Sequence, residues 1–157
     1  MDSYLETYLE NHGIHYKLHS HKAVFSAKES GFLKDIIPGM STKNLFLKSD
    51  NGEFYLVCMN EDKRLDIKAL AKHIGHGKLH FGSAEALLQE LHITPGSVSI
   101  FGMIYAKNTA LIVDKDLWNA DIVSFHPNIN TETLEIRHTD LDIFYNSLSC
   151  KKEIFEL

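Results

Sequence analysis

A chain of 157 residues, 44% apolar and 24% charged, is long enough to bury a sizeable core and is expected to fold as one domain, residues 1–157. No apolar run approaches the roughly 18–20 residues of a membrane span, and the acidic, amphipathic start MDSYLETYLENHG is unlike a signal or transit peptide. A cytoplasmic protein without a membrane partner is therefore expected. The net charge of −5 argues against coating nucleic acid by general charge attraction, so no DNA partner is expected. Docking on RNA through a local patch stays open.

Ser3 and Glu6 form a predicted capping box for a first helix, whose apolar stripe Tyr4, Leu5, Tyr8 and Leu9 ends at Gly13. IHYKLHSH alternates as a strand, with His15, Lys17, His19 and His21 on one face. A second capping box, Ser26 to Glu29, opens a short helix closing near Gly31 or Gly39. TKNLFLKSDNGEFYLVCMN reads as a hairpin turning at Asn51-Gly52, the strongest short hairpin signal. DIKALAKHIG is an amphipathic helix stopped by Gly75 and Gly77. KLHF is a short strand, and Ser83 caps the helix AEALLQELH. The turn TPGS precedes a predicted strand VSIFGMIYA; ALIVD and DIVSF are further strands. The polar loop HPNINTE leads into TLEIR, and a last helix, LDIFYNSL, starts at Thr139 or Asp140. Strands adjoin strands and helices are inserted irregularly. That pattern predicts an α/β domain with a central mixed, largely antiparallel sheet flanked by helices. The GxGxxG and GxxxxGK[ST] fingerprints are absent, so a nucleotide-driven enzyme is not expected.

Each chemical candidate has a structural alternative. Ten histidines invite a metal, but no spacing matches a zinc motif, and surface or core-edge positions account for them better. Cys58 and Cys150 are distant and make no CxxC pair. Cys58 lies inside an apolar strand, where a buried thiol is a poor nucleophile. Lys63, Arg64, Lys68, Lys72 and Lys78 face one acid, Asp66, in the only basic island. It is either a solvated helix face or an RNA contact. Lys43 opens the apolar run Asn44–Leu47, which points its ammonium at a sheet end. There it either edges a strand or holds a phosphate. Gly96 and Gly102 mark turns, or a close approach of ligand. His126 before Pro127 must leave the sheet in an extended turn, which it either stabilises or uses for chemistry.

Three segments in this order, STKNLFLK, ITPGSVSIFGMI and SFHPNINTETLEI, change the balance. Together they resemble the YbaK/ProX family of freestanding editing domains, related to the insertion domain of bacterial prolyl-tRNA synthetase, and most of all its ProX (PrdX, ProXp-ala) branch. The likeness runs from about His21 to Leu148. KNLFL with FHPN-x-NT is the specific part of the signature. The resemblance implies a compact α/β domain and an aminoacyl-tRNA deacylase that needs no cofactor, no metal and no covalent nucleophile. The partner implied is an aminoacyl-tRNA, bound at the 3′ end of proline tRNA, with prolyl-tRNA synthetase as a further candidate. This branch is associated with alanine.

The same resemblance makes Lys43 the family's essential lysine and gives His126 the floor of the pocket or the water. It places Thr42, Asn44, Phe46, Gly96, Ile100, Phe101, Gly102, Asn128, Asn130 and Thr131 around the substrate. Amides near Gly96 and Gly102 would face the carbonyl, and Phe25, Phe46, Ile100, Phe101 and Met103 are candidate walls, or plain core. Lys63, Arg64, Lys68 and Lys72 would touch tRNA. The chemistry is consistent with these residue types. An aminoacyl ester is already activated, so the protein need only position water and stabilise the developing oxyanion. A proline pocket rejects smaller amino acids poorly, at ~1–3 kcal/mol per missing methylene, which is why a second sieve is useful.

Two departures bear on selectivity. The family usually reads GxxxP where this chain has Gly96-Ser-Val-Ser-Ile100, and often Asn-Asp where it has Tyr105-Ala106. The alternatives are the same reaction on Cys- or Ser-charged tRNA, a non-catalytic module binding tRNA or a synthetase, and a metal-dependent hydrolase using the histidines.

Overall fold

The computed structural model describes residues 1–23 and 29–157. Phe25 and Ser26, with its predicted cap to Glu29, lie outside what is described. Eight strands form one mixed sheet: β1 (Lys17–Ser20), β2 (Met40–Ser49), β3 (Phe54–Asn60), β4 (Leu79–Phe81), β5 (Thr109–Asp114), β6 (Ile122–Phe125), β7 (Glu132–Arg137) and β8 (Lys152–Phe155). The order across the sheet is β1-β7-β6-β2-β3-β5-β8, with β4 pairing β2. Four pairings are antiparallel and three, β2–β6, β3–β5 and β5–β8, are parallel. The helices are α1 (Ser3–Asn11), α2 (Ile67–His73), α3 (Ala84–Leu91), α4 (Lys115–Asn119) and α5 (His138–Ser147). Two 3₁₀ segments, Glu29–Asp35 and Ile100–Tyr105, complete the architecture.

The strand period of two divides the side chains between two faces. One face carries Phe46, Leu56, Cys58, Leu111, Val113, Val123, Phe125, Leu134 and Ile136. It packs against α1, α3, α5 and the segment Ile100–Tyr105 in the main core. Each large apolar side chain buried there contributes about 1.5–3 kcal/mol. The opposite face carries Leu47, Tyr55, Val57, Met59 and Ile112 under Leu70 and Ala71 of α2. Toward β1 that second face turns polar, and the segment Glu29–Asp35, continuing to Ile37, roofs it.

Several sequence expectations are corrected. Asp2, not Ser3, caps α1: its carboxylate accepts the Leu5 N–H at 2.8 Å, and its charge suits a helix N-terminus. His15 stands before β1, and its main-chain N–H donates to Asp140. VSIFGMIYA is a 3₁₀ segment rather than a strand. The Ser99 hydroxyl accepts the Phe101 N–H and the Ser99 carbonyl that of Gly102. A continuous apolar run carries no period to tell the two apart. α5 begins at His138. The short α4 and the final strand β8 had no expectation at all.

Candidate active site

β2 is where the sheet splits. Its hydrogen-bonded pairs with β3 fall at odd residues: Ser49 donates to the Glu53 carbonyl and Glu61 donates to the Ser41 carbonyl, both at 2.9 Å. Even residues therefore aim their main-chain groups at the other edge, where Gly82 donates to the Phe46 carbonyl. That edge is covered by β6 at Met40 and Ser41 and by β4 at Leu47–Ser49. Between the two strand ends, from Thr42 to Leu45, no strand adjoins it among the described residues. A gap between diverging strands is a natural ligand crevice.

Gly39 sets the near side of this gap. Its φ is +90°, and a Cβ there would lie 2.4 Å from the Ile122 carbonyl oxygen, so only glycine lets β2 enter so close to β6. Thr42 ties the strands again, its hydroxyl donating to the Ser124 carbonyl at 2.7 Å.

Lys43 and His126 both border this gap. Ser41 pairs with Ser124 in the β2–β6 ladder; Lys43 follows two residues on along β2, and His126 follows the last residue of β6, Phe125. The Lys43 side chain is half-buried, and among the described residues no acid or acceptor pairs with its ammonium. The His126 Nδ1 lies 2.9 Å from the Glu132 carbonyl. A carbonyl only accepts, so Nδ1 carries the hydrogen, and when the ring is neutral Nε2 is its free base. Burial is the main cause that pushes the His126 pKa below its ordinary value. The nearby His21 adds to it, and the Glu132 carbonyl and Glu61 oppose it.

Beside His21, whose ring lies 6.0 Å from that of His126, a cavity of about 400 Å³ opens between His19–Lys22 and the apolar residues Phe32, Leu33, Ile36 and Ile37. Leu33 and Ile37 point inward, whereas Phe32 and Ile36 remain exposed. Lys34 fastens this roof to the end of β3 through Asp62 at 2.8 Å and Glu61 at 3.5 Å. The floor continues into His19, paired with Glu135 at 3.0 Å, and His21, bonded to Thr133 at 2.8 Å.

The remaining predicted residues divide. Thr42, Asn44 and Phe46 point to the face opposite Lys43, where Phe46 stacks on Phe54 at 5.2 Å. Ile100 and Phe101 are fully buried there, with Phe101 packed edge-on to Phe125 and Phe144. With Met103 they build the core, not a wall shared with Lys43. The Gly102 amide is spent on Ser99, and its missing side chain makes room for Ile93, so it does not face a carbonyl. Gly96, at φ +91°, completes a turn in which Ser97 donates to Thr94, the role of glycine after proline in a type II turn. Asn128 adopts φ +64°, and both its amide atoms are buried without a partner among the described residues, as is Asn44 Oδ1. Asn130 and Thr131 carry the loop onward, and the Thr131 carbonyl accepts the His21 N–H.

Within the basic island, Lys63 is engaged by Asp114 and Asp116 at 3.0 and 3.1 Å, while Arg64, Lys68 and Lys72 are exposed. Burial drives the Cys58 thiol pKa well up. Among the described residues no three His, Cys, Asp or Glu side chains gather as metal ligands. His19, His21, Thr133, Glu135, Lys34 and Glu61 are the site groups that the sequence left unassigned. The alternating HSH of β1 was their one legible signal.

A sequence model of the aminoacyl-tRNA editing domain matches residues 21–144. The prolyl-tRNA editing protein ProX of Acetoanaerobium sticklandii is 33% identical over 132 residues, covering 82% of this chain and 80% of that protein. Prolyl-tRNA synthetase associated domain-containing protein 1 of Danio rerio is 27% identical over 141 residues, covering 87% and 77%. Two solved structures share the fold. A candidate trans-editing enzyme for prolyl tRNA synthetase has a TM-score of 0.74 at 18% identity, over 100% of this chain and 99% of that one. A hypothetical protein has a TM-score of 0.78 at 19% identity, over 97% of each chain. The matched residues 21–144 span the β2 gap and the His126 loop, and the chain belongs to the aminoacyl-tRNA editing domain family.

Proposed function

We infer that residues 1–157 act as one cytoplasmic trans-editing deacylase, hydrolysing the ester of mischarged proline tRNA without a metal, with alanine the first candidate acyl group. The observation that carries this reading is the Lys43 ammonium, unpaired among the described residues, at the open edge of β2, across the gap from the loop in which the His126 Nδ1 is held by the Glu132 carbonyl. Lys43 suits a phosphate of the tRNA 3′ end as a point charge. Holding that phosphate fixes the neighbouring ester, and the Nε2 of His126 can accept a hydrogen bond from the attacking water or from the ribose 2′-hydroxyl. The ester needs no covalent nucleophile, and Cys58 is sealed in the core on the other face. The apolar roof at Leu33 and Ile37 suits a small side chain, in keeping with alanine.

Beyond the gap, the exposed Arg64, Lys68 and Lys72 lie toward the same face as Lys43 and suit the phosphates of an acceptor stem. Lys63 serves there through Asp114 and Asp116 rather than through RNA. The names of the relatives make prolyl-tRNA synthetase a reasonable partner.

The test is hydrolysis of proline tRNA charged with Ala, Cys, Ser or Pro, with and without chelator. Rapid loss of alanine with proline spared, indifferent to chelator, is the expected result. Loss of Cys or Ser instead would reassign the acyl group. A chelator-sensitive reaction would overturn metal independence, and no turnover of any of them would favour a module that binds tRNA without cleaving it.

A further inference from the structure

His21 lies outside the groups given a role above, yet its contacts converge on His126. Its main-chain N–H donates to the Thr131 carbonyl at 2.9 Å. Its Nδ1 lies 2.7 Å from the Lys22 carbonyl and its Nε2 lies 2.8 Å from the Thr133 hydroxyl. The carbonyl makes Nδ1 the donor, so in the neutral ring Nε2 accepts the Thr133 O–H. Thr131 and Thr133, the two residues His21 holds, flank Glu132. The Glu132 carbonyl is the acceptor that fixes Nδ1–H of His126. The Glu132 carboxylate is in turn paired with the N-terminal ammonium. The two imidazoles face each other with centroids 6.0 Å apart and planes inclined at 55°.

The geometry points to His21 as a positioning residue for the deacylase reaction: by gripping both neighbours of Glu132 it fixes the carbonyl that selects the Nδ1–H tautomer of His126 and turns its Nε2 toward the crevice. The inference rests on the functional reading above and adds to it a residue that touches no reacting atom. β1 is short, four residues from Lys17 to Ser20, and ends opposite Glu132, so the His21 bonds extend its grip past the residue whose carbonyl holds His126. The charged or titratable groups around His126 are His21, just after β1, and Glu61 beyond β3, with the Glu132 carbonyl from β7.

His21→Ala removes the imidazole bonds, while Thr133→Val removes only the hydroxyl at nearly constant volume. Two readouts separate this role from simple damage. The first is the ¹⁵N spectrum of the His126 ring across pH, which needs no substrate. The wild type should show one tautomer, protonated at Nδ1, and both variants should show a mixture; in Thr133→Val, which keeps His21, the titration should move to lower pH, because the Glu132 carbonyl that raises the His126 pKa is loosened. The second is the pH profile of deacylation. The expected result is a kcat lower by roughly ten- to a hundredfold in His21→Ala, as misplacement of a reacting group costs. KM should change little, and Thr133→Val should lower kcat in the same way, with its acid limb moved to lower pH. A His126 spectrum and acid limb identical to wild type in either folded variant would overturn the role. Should His21→Ala fail to fold, Thr133→Val decides. Were wild-type protein to hydrolyse no charged tRNA, the deacylase reading would fall, and the ring spectra would still show whether His21 sets the tautomer.

Discussion

Lys43 is a half-buried cation with no acid beside it among the described residues, an arrangement with a cost unless a ligand anion arrives. Its replacement should therefore separate function from stability. Lys43→Ala is expected to abolish deacylation, by about two orders of magnitude or more, with a melting temperature equal to or above that of the wild type. Lys43→Arg keeps the charge but not its compact geometry and should recover only part of the rate. An active, well-folded Lys43→Ala protein would remove Lys43 from the mechanism.

His126 sets a pH dependence of definite sign. Burial lowers its pKa below the ordinary value of 6.5, so the free Nε2 persists to mildly acidic pH. The rate should hold across neutrality and fall as pH drops through that lowered pKa. The same residue adds a stability term. Between the ordinary and the lowered pKa the unfolded chain binds the proton and the native state does not, so stability is complete above about 6.5 and declines as pH falls through the lowered value. Urea unfolding from pH 8 to pH 5 on wild type and His126→Gln checks this, since the variant should lose that part of the slope.

At the scale of elements, what could be read from the sequence was local. Asn51-Gly52 announced the β2–β3 hairpin, and Gly52 does adopt φ +81°. Ser83 caps α3 by accepting the Ala86 N–H, and DIKALAKHIG does form a helix, α2. What could not be read depends on distant pairing. The parallel contact of Met40 and Ser41 with Val123 and Ser124 opens the gap at Lys43, and no local period encodes a partner some eighty residues away. The same ignorance of faces grouped Phe101 with Lys43, although the sheet lies between them. The resemblance singled out Lys43 and His126 as candidates, but it could not show that Asn44 and Phe46 turn the other way.

Gly39 is the residue on which this long-range geometry depends. Gly39→Ala would place a Cβ against main-chain atoms of Ile122, which cannot rotate away, at a φ that disfavours any side chain. The expected cost is about 2–4 kcal/mol, read as a lower midpoint of denaturation. Because the displaced strand leads directly to Lys43, activity should fall further than the unfolded fraction explains. Gly52→Ala also has a positive φ but meets nothing within 4 Å, so it should cost stability alone.

Over the whole molecule, the net charge of −5 is unevenly placed. The helices on the core face expose Glu6, Glu10 and Glu85, while α2 on the Lys43 face exposes Lys68 and Lys72. An acidic protein can thus present a cationic side to a polyanion while its far side repels it, which favours one docking orientation. Lys68→Glu with Lys72→Glu should weaken binding of uncharged proline tRNA and reduce the slope of log affinity against log salt by about one to two. Neither residue adjoins the ester in this arrangement. Turnover of a minimal substrate that ends at the aminoacylated adenosine should then stay at the wild-type rate. Equal losses on full tRNA and on the minimal substrate would place α2 in the chemical site. Unchanged affinity at low salt would return both lysines to ordinary solvated surface, leaving Lys43 as the cation that the RNA meets.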